Sequence, residues 1–93
     1  MTVKIFIKRK MDDANIIELT FLLKKLRAMT LNQPGYVSGE TMKRIDKPGE
    51  SMVISTWRSV DDWNKWVNNP ERMAIQSEID KLLGEETEYA VYG

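Results

Sequence analysis

The sequence predicts a single α+β domain in which one antiparallel sheet is packed against helices. Three observations support this fold class. The chain has 93 residues, which fits one domain. Segments with a period of two alternate with segments of helical period in the order β-α-β-β-α-β. The breaks between these segments contain all three prolines, which favour turns and helix starts.

The first strand is predicted over residues 2–9, TVKIFIKR. Its side chains alternate, and β-branched residues favour a strand over a helix. Val3, Ile5 and Ile7 share one face. Phe6 shares the opposite face with Lys4 and Lys8, so that face is not purely polar.

The first helix is predicted over residues 12–31 and is amphipathic. Asp12 and Asp13 fit its start, as an N-cap or as first-turn anions. Asn32-Gln33-Pro34-Gly35 ends it. The expected apolar stripe consists of Ile16, Leu19, Leu23, Leu26 and Thr30, widened by Ile17, Leu22 and Met29.

An antiparallel hairpin is predicted next, with strands over residues 36–45 and 51–58. Pro48-Gly49 suits the middle of a type II turn between them.

The second helical region is predicted to be interrupted at Pro70, which suits the first position of a new helix. Ser59 is its expected N-cap. Gly84 is expected to end it, and a last strand follows over residues 87–92. The candidate buried positions are Val60, Trp63, Trp66, Val67, Met73, Ile79, Leu82 and Leu83. This order of elements is the ferredoxin-like split βαβ arrangement, with both helices on one face of the sheet.

Both faces of the predicted sheet carry apolar side chains. Tyr36 and Met42 are expected on one face of the second strand, opposite Val37 and Ile45. Similar pairs recur in the third and fourth strands. The helices cover one face only, so a second copy packed sheet against sheet is the expected cover, and we predict a homodimer.

Composition excludes several kinds of site. The chain has no cysteine and no histidine, which removes disulfides, thiolate nucleophiles and the commonest general base and metal ligand. Its 14 basic and 14 acidic residues cancel, so neither nucleic acid nor a membrane surface is an expected partner. No apolar run approaches membrane-spanning length, and the first ten residues do not match a signal peptide. We expect a cytoplasmic protein without a metal site.

The segments PGYVSG, STWRS and DDWNKW, joined by a Pro-Gly turn and followed by a Pro-started helix, resemble the antibiotic biosynthesis monooxygenase (ABM) superfamily. The resemblance extends over the whole chain. It implies a dimeric α+β barrel. It also implies a monooxygenase that acts on a small aromatic or quinol-like substrate and needs no cofactor.

Haem-degrading members of this superfamily use an Asn on the first strand, a Trp on the second helical region and a His ten residues after that Trp. Trp66 matches the Trp, but the His position falls on Gln76. The Asn position falls near Lys4 in a strand that has no Asn. Haem degradation by that mechanism is therefore not expected.

No catalytic residue is identified from the sequence. The candidate substrate-binding residues are Lys4, Phe6, Tyr36, Met42, Trp57, Arg58 and Trp66. Each also has a structural interpretation. Trp57 is expected in the core with its indole N–H on a carbonyl, and Tyr36, Met42, Tyr89 and Tyr92 suit either an aromatic pocket or an interface. Two alternative functions stay open: a non-catalytic dimeric module for ligand binding or stress response, and an isomerase-type member of the same barrel superfamily.

Overall fold

The computed structural model of the protein describes residues 2–11 and 13–93. It confirms the predicted order of elements, with the second helical region divided in two. A short 3-10 turn at Asp13–Asn15 precedes the first helix. The elements are β1 (Val3–Lys10), α1 (Ile16–Thr30), β2 (Tyr36–Lys43), β3 (Glu50–Trp57), α2 (Val60–Val67), α3 (Pro70–Leu83) and β4 (Glu88–Tyr92).

The four strands form one antiparallel sheet in the order β2-β3-β1-β4. This is the predicted ferredoxin-like topology, in which the first and last strands are neighbours. Lys8 of β1 lies opposite Glu88 of β4 in the register. Its amine, however, forms an ion pair with Glu50 of β3 at 3.7 Å.

The core lies between the sheet and the helices, on the face of β1 that carries Ile5 and Ile7. Its buried members are Ile5, Ile7, Leu19, Leu26, Trp57, Trp63, Trp66, Ile75 and Ile79. Trp63 and Trp66 are therefore core residues, as their spacing predicted.

Four predicted core positions are wrong, because Ile16, Ile17, Val60 and Met73 are exposed, Ile17 to 84% and Met73 to 54%. At 3.6 residues per turn, Ile17 lies about 160° around α1 from the buried Leu19. Met73 lies at a similar angle from Ile75 on α3. Arg72 and Gln76 occupy the inward positions of α3 instead.

The ends of α2 and α3 follow the predicted chemistry, whereas α1 begins at Ile16, later than predicted, and its N-cap Asn15 makes no side-chain capping hydrogen bond. Ser59 Oγ accepts a hydrogen bond from the Asp62 backbone N–H at 3.2 Å and caps α2. Asn69 caps α3 in the same way, with Pro70 as its first residue. Gly84 ends α3 in the left-handed conformation, with φ of 75°. The predicted capping role of Asp12 lies outside the described residues.

A β-bulge in β2 changes which side chains share a face. The β2–β3 register shifts between Tyr36 and Ser38. Tyr36 lies opposite Trp57 and faces the helices, whereas Met42 lies opposite Met52 and faces away from them. The expectation that Tyr36 and Met42 share a face is wrong, because the extra residue reverses the alternation. In the part of the chain that the structure describes, no helix is long and apolar enough to cross a membrane.

Candidate functional site

A cavity of about 560 Å³, here called the inner cavity, lies between α1 and the β2–β3 half of the sheet. Four aromatic residues line it: Tyr36, Trp57, Trp63 and Trp66. They come from the start of β2, the end of β3 and the buried side of α2. The space that they surround has the size of a site for a small organic ligand.

The aromatic rings are fixed against each other. Tyr36 packs edge-on against Trp57 at a centroid distance of 5.4 Å, and Trp57 packs against Trp63 at 5.7 Å. The indole N–H of Trp57 donates to Ser55 Oγ at 3.1 Å. The predicted core position of Trp57 is confirmed, but its acceptor is a hydroxyl and not a carbonyl.

Two buried arginines line the same cavity, and sequence reasoning missed both. Arg9 is 5% exposed and Arg72 is 3% exposed. Arg9 continues the inward face of β1 after Ile5 and Ile7, and Arg72 precedes the buried Ile75 by three positions on α3. A charged residue at an inward position was the signal that could have identified them, because buried arginines are rare.

Arg72 is held among three aromatic rings. Its guanidinium carbon lies 5.3 Å from the Tyr89 ring centroid, 5.5 Å from that of Trp63 and 5.9 Å from that of Trp66. These distances are typical of cation–π contacts. Arg72 Nη2 also donates to Tyr89 Oη at 2.9 Å. Its Nε is buried and has no hydrogen-bond partner among the described residues.

Arg9 is tied to a polar network behind the cavity. Its Nη2 donates to Gln76 Oε1 at 3.1 Å. Gln76 Nε2 in turn donates to Asp80 Oδ1 and to Thr87 Oγ1, both at 2.8 Å. The Nε of Arg9, like that of Arg72, is buried without a partner among the described residues.

Burial lowers the pKa of Arg9 from its usual value, because desolvation disfavours the charged form. The charge of Arg72 lowers it further, whereas Tyr89 and Asp80 raise it. Arg9 still carries its charge at neutral pH, since a guanidinium is not deprotonated in proteins. The inner cavity therefore has two buried positive charges at one end.

The Gln76 network bears on the haem comparison. Both ends of the Gln76 amide are engaged, by Arg9 on one side and by Asp80 and Thr87 on the other. The side chain at the position of the His of haem-degrading relatives is thus a structural linker, and its donor set does not suit haem iron. Among the described residues, no group of three or more acidic side chains is placed to hold a metal ion.

A second cavity of about 620 Å³, here called the outer cavity, opens on the other face of the sheet. Lys4, Phe6 and Lys8 line it together with β4 residues. Phe6 packs edge-on against Tyr92 at 5.0 Å. None of the helices in the described part of the chain covers this face.

The structure divides the predicted substrate-binding residues between the two cavities and two separate exposed positions. Tyr36, Trp57 and Trp66 meet in the inner cavity, and Lys4 and Phe6 lie together in the outer cavity. Met42 is exposed on the outer face of β2, and Arg58 is exposed just after β3 and lines neither cavity. The inner cavity holds most of the aromatic surface and both buried charges. It is the candidate functional site.

The arrangement can bind a flat ring and stabilise negative charge on it. The tryptophans and Tyr36 provide apolar surface, and Arg9 and Arg72 provide fixed donors in a low dielectric. The shape at the β2 wall depends on Gly39, where a Cβ would lie 2.7 Å from Tyr36 Oη.

Comparison with known proteins agrees with the fold. Residues 2–78 match the sequence model of the family described as antibiotic biosynthesis monooxygenase. No curated protein sequence matches the chain.

Several solved structures share the fold at low sequence identity. A conserved protein from Methanosarcina mazei Go1 is similar with a TM-score of 0.89 and 17% identity, over 99% of this chain and 91% of that one. SnoaB, a cofactor-independent oxygenase from Streptomyces nogalater, is similar with a TM-score of 0.84 and 17% identity, over 99% and 91%. Rv0793 from Mycobacterium tuberculosis is similar with a TM-score of 0.86 and 17% identity, over 100% and 94%.

Proposed function

The chain belongs to the antibiotic biosynthesis monooxygenase family, and from this premise we propose that it is a monooxygenase. Its substrate is a small aromatic, quinol-like molecule that binds in the inner cavity. The reaction uses dioxygen without a metal or an organic cofactor, and the working form is a homodimer in the cytoplasm.

The observation that carries this proposal is an aromatic-lined cavity beside two buried positive charges. A structural core normally fills such a space with side chains. Here Trp57, Trp63 and Trp66 leave about 560 Å³ next to Arg9 and Arg72, which suits a flat anionic ligand. The likeness to SnoaB supports the same class of chemistry, through the fold alone.

The proposed reaction is an oxidation of the substrate at an activated ring carbon. The substrate loses a proton, and the resulting anion transfers electrons to dioxygen. A ring CH₂ becomes a carbonyl, one oxygen atom stays in the product and the other leaves as water. The protein's part is to orient the ring on the tryptophans and to stabilise the anion through the arginines.

Anthrone is a suitable probe because it carries such a CH₂ and its oxidation to anthraquinone consumes one dioxygen. We expect oxygen uptake above the rate with heat-inactivated protein. With ¹⁸O₂, we expect one labelled oxygen in the quinone and no hydrogen peroxide. A chelator should leave the rate unchanged.

Two variants locate the reaction. Trp66→Leu removes an aromatic wall of the inner cavity and should lower kcat/KM at least tenfold, which corresponds to about 1.4 kcal/mol. Arg58→Met changes an exposed arginine outside both cavities and should leave the rate intact. If the pure protein binds anthrone and dihydroxynaphthalenes but consumes no oxygen above background, the chain is a non-catalytic binding module and the proposal fails.

A further inference from the structure

We propose that Arg9 and Arg72 form a carboxylate-binding subsite at one end of the inner cavity, so that the ligand of this protein is a planar aromatic acid. That this ligand is also a substrate rests on the proposed function. The subsite itself does not, because it follows from burial, charge and hydrogen bonding alone.

The first argument is that the two guanidinium groups have unused donors. Each guanidinium has five N–H donors. Among the described residues, Arg9 uses its side chain to bond Gln76, and Arg72 uses its side chain to bond Tyr89. The Nε of each is buried without a partner. A buried guanidinium charge with no anion beside it is costly, and an anion in the cavity would offset that cost electrostatically.

The second argument is charge balance. Arg9 is bonded to Gln76, which lies one turn after Arg72 on the buried side of α3, so both guanidinium groups lie at the same part of the cavity. Asp80 partly compensates them, but its carboxylate is already bonded to Gln76 and Thr87. Two cations against one carboxylate leave a net positive charge, which a single further anion would neutralise.

The third argument concerns the type of anion. A carboxylate has two oxygens that accept several hydrogen bonds, so it can take donors from two guanidinium groups at once. It is also ionised at neutral pH without a proton transfer. The rings of Trp57, Trp63 and Trp66 beside the arginines favour a flat apolar body attached to it.

The fourth argument is the charge of the cavity rim. Six basic and two acidic residues line the inner cavity, although the whole chain is neutral. Arg44 is engaged with Asp46 and Glu50. Lys24, Arg27 and Lys43 form no ion pair with any described residue. Such a concentration of positive charge raises the local concentration of anions at the entrance.

The test compares two ligands of equal shape and different charge, 1-naphthoate and the neutral 1-naphthamide. Binding to the full chain is measured by isothermal titration calorimetry at low salt. We expect 1-naphthoate to bind at least about tenfold more tightly, as fits charge-assisted bonds in a buried site. Added salt should weaken the anion more than the amide.

Variants then assign the preference to the two residues. In Arg9→Met and in Arg72→Met, the preference for 1-naphthoate should fall at least about fivefold. Each substitution keeps an apolar side chain of similar length but removes the guanidinium N–H donors. Arg72→Lys should restore part of it. Arg27→Met is the control at the exposed rim of the cavity, and at high salt it should keep the preference for 1-naphthoate over 1-naphthamide. Circular dichroism monitors folding, and the wild-type comparison of the two ligands needs no variant.

Equal affinity of the wild-type protein for the two ligands would overturn the subsite. So would a preference that survives in both Arg9→Met and Arg72→Met. The anthrone experiment is independent of this outcome. Oxygen uptake without anion preference would retain the oxygenase and reject the subsite, and anion preference without oxygen uptake would do the reverse.

Discussion

Gly35 shows how a single residue fixes the wall of the candidate site. It has φ of 84°, in the left-handed region that favours glycine, and its carbonyl accepts the Arg58 backbone N–H at 2.8 Å. A Cβ here would overlap the Asp62 carboxyl. Asp62 is bonded to Ser59 at the start of α2, so the close approach joins the turn before Tyr36 to the helix that carries Trp63 and Trp66.

We therefore expect Gly35→Ala to destabilise the protein more than the same change at Gly84. Gly84 also has positive φ, but nothing lies within 4 Å of a Cβ built on it. Gly84→Ala should cost about 1–2 kcal/mol for the left-handed conformation alone. Gly35→Ala should cost at least about 1 kcal/mol more, since Asp62 must move and the α2 cap is disturbed. Urea unfolding measures both, and equal losses would contradict the role of the close approach.

Residue-level prediction from sequence succeeded where spacing decides burial. Trp63 and Trp66 are buried because they lie three apart on the inward side of a helix. Prediction from the sequence missed Arg9 and Arg72 because charged residues were assumed to lie outside the buried faces of β1 and α3. Whether an inward arginine is buried depends on contacts such as Gln76 and Tyr89, which are 67 and 17 residues distant in the chain.

At the scale of elements, the β2–β3 hairpin is held at its connecting turn by a charged cluster. Arg44 Nε donates to Asp46 Oδ1 at 2.8 Å, and its Nη1 donates to Glu50 Oε2 at 3.1 Å. These bonds lower the pKa of Asp46 from 3.8 and that of Glu50 from 4.5. They also raise the pKa of Arg44. The hairpin forms one wall of the inner cavity, so this cluster supports its edge.

The cluster predicts a dependence of stability on pH. A carboxylate whose pKa is depressed on folding stabilises the protein above its usual pKa, and this stabilisation is lost as pH falls through the depressed value. The wild-type protein should therefore melt above Arg44→Met near neutral pH. The difference in Tm should shrink as pH falls below 4.5 and 3.8, the usual pKa values of the two carboxyls.

Arg58→Met is the matched control for this measurement, because Arg58 is exposed and forms no ion pair with a described residue. Its Tm should follow that of the wild-type protein at every pH. A Tm difference for Arg44→Met that stays constant in acid would show that the two carboxyls do not act through Arg44. Solvent screening keeps the effect small, as for other exposed pairs.

Periodicity predicted every helix and strand, but not the faces of β2. The alternation of an ideal strand placed Tyr36 with Met42, and one extra residue between Tyr36 and Ser38 separates them. A bulge has no period of its own, because it depends on how the edge strand pairs with β3. For this reason the sequence predicted the elements around the site correctly but placed Tyr36 and Met42 on one face, whereas they lie on opposite faces.

At the scale of the whole molecule, the outer face of the sheet has an apolar centre, and none of the described helices lies over it. Phe6, Met52 and Ile54 lie at its centre, with Met42 and Tyr92 toward the edges, where both are exposed. All of these side chains point away from the helices, which agrees with the prediction that both faces of the sheet carry apolar residues. An apolar face of this kind normally marks an interface. A second copy, sheet against sheet, would cover it by two-fold symmetry.

This proposal predicts that one substitution at the centre of the face abolishes the dimer. Ile54 lies between Phe6 and Glu40 in the register, and Ile54→Lys would place a charge where the two sheets meet. We expect sedimentation velocity to show a dimer for the wild-type protein and a monomer for the variant at micromolar concentrations. The Tm of the wild-type protein should rise with concentration, and that of the variant should not. Ile17→Lys, at an 84% exposed position on α1, should leave the dimer intact. A wild-type monomer would reject the homodimer, and a dimer that survives Ile54→Lys would place the interface elsewhere; either result would leave the outer cavity open to solvent.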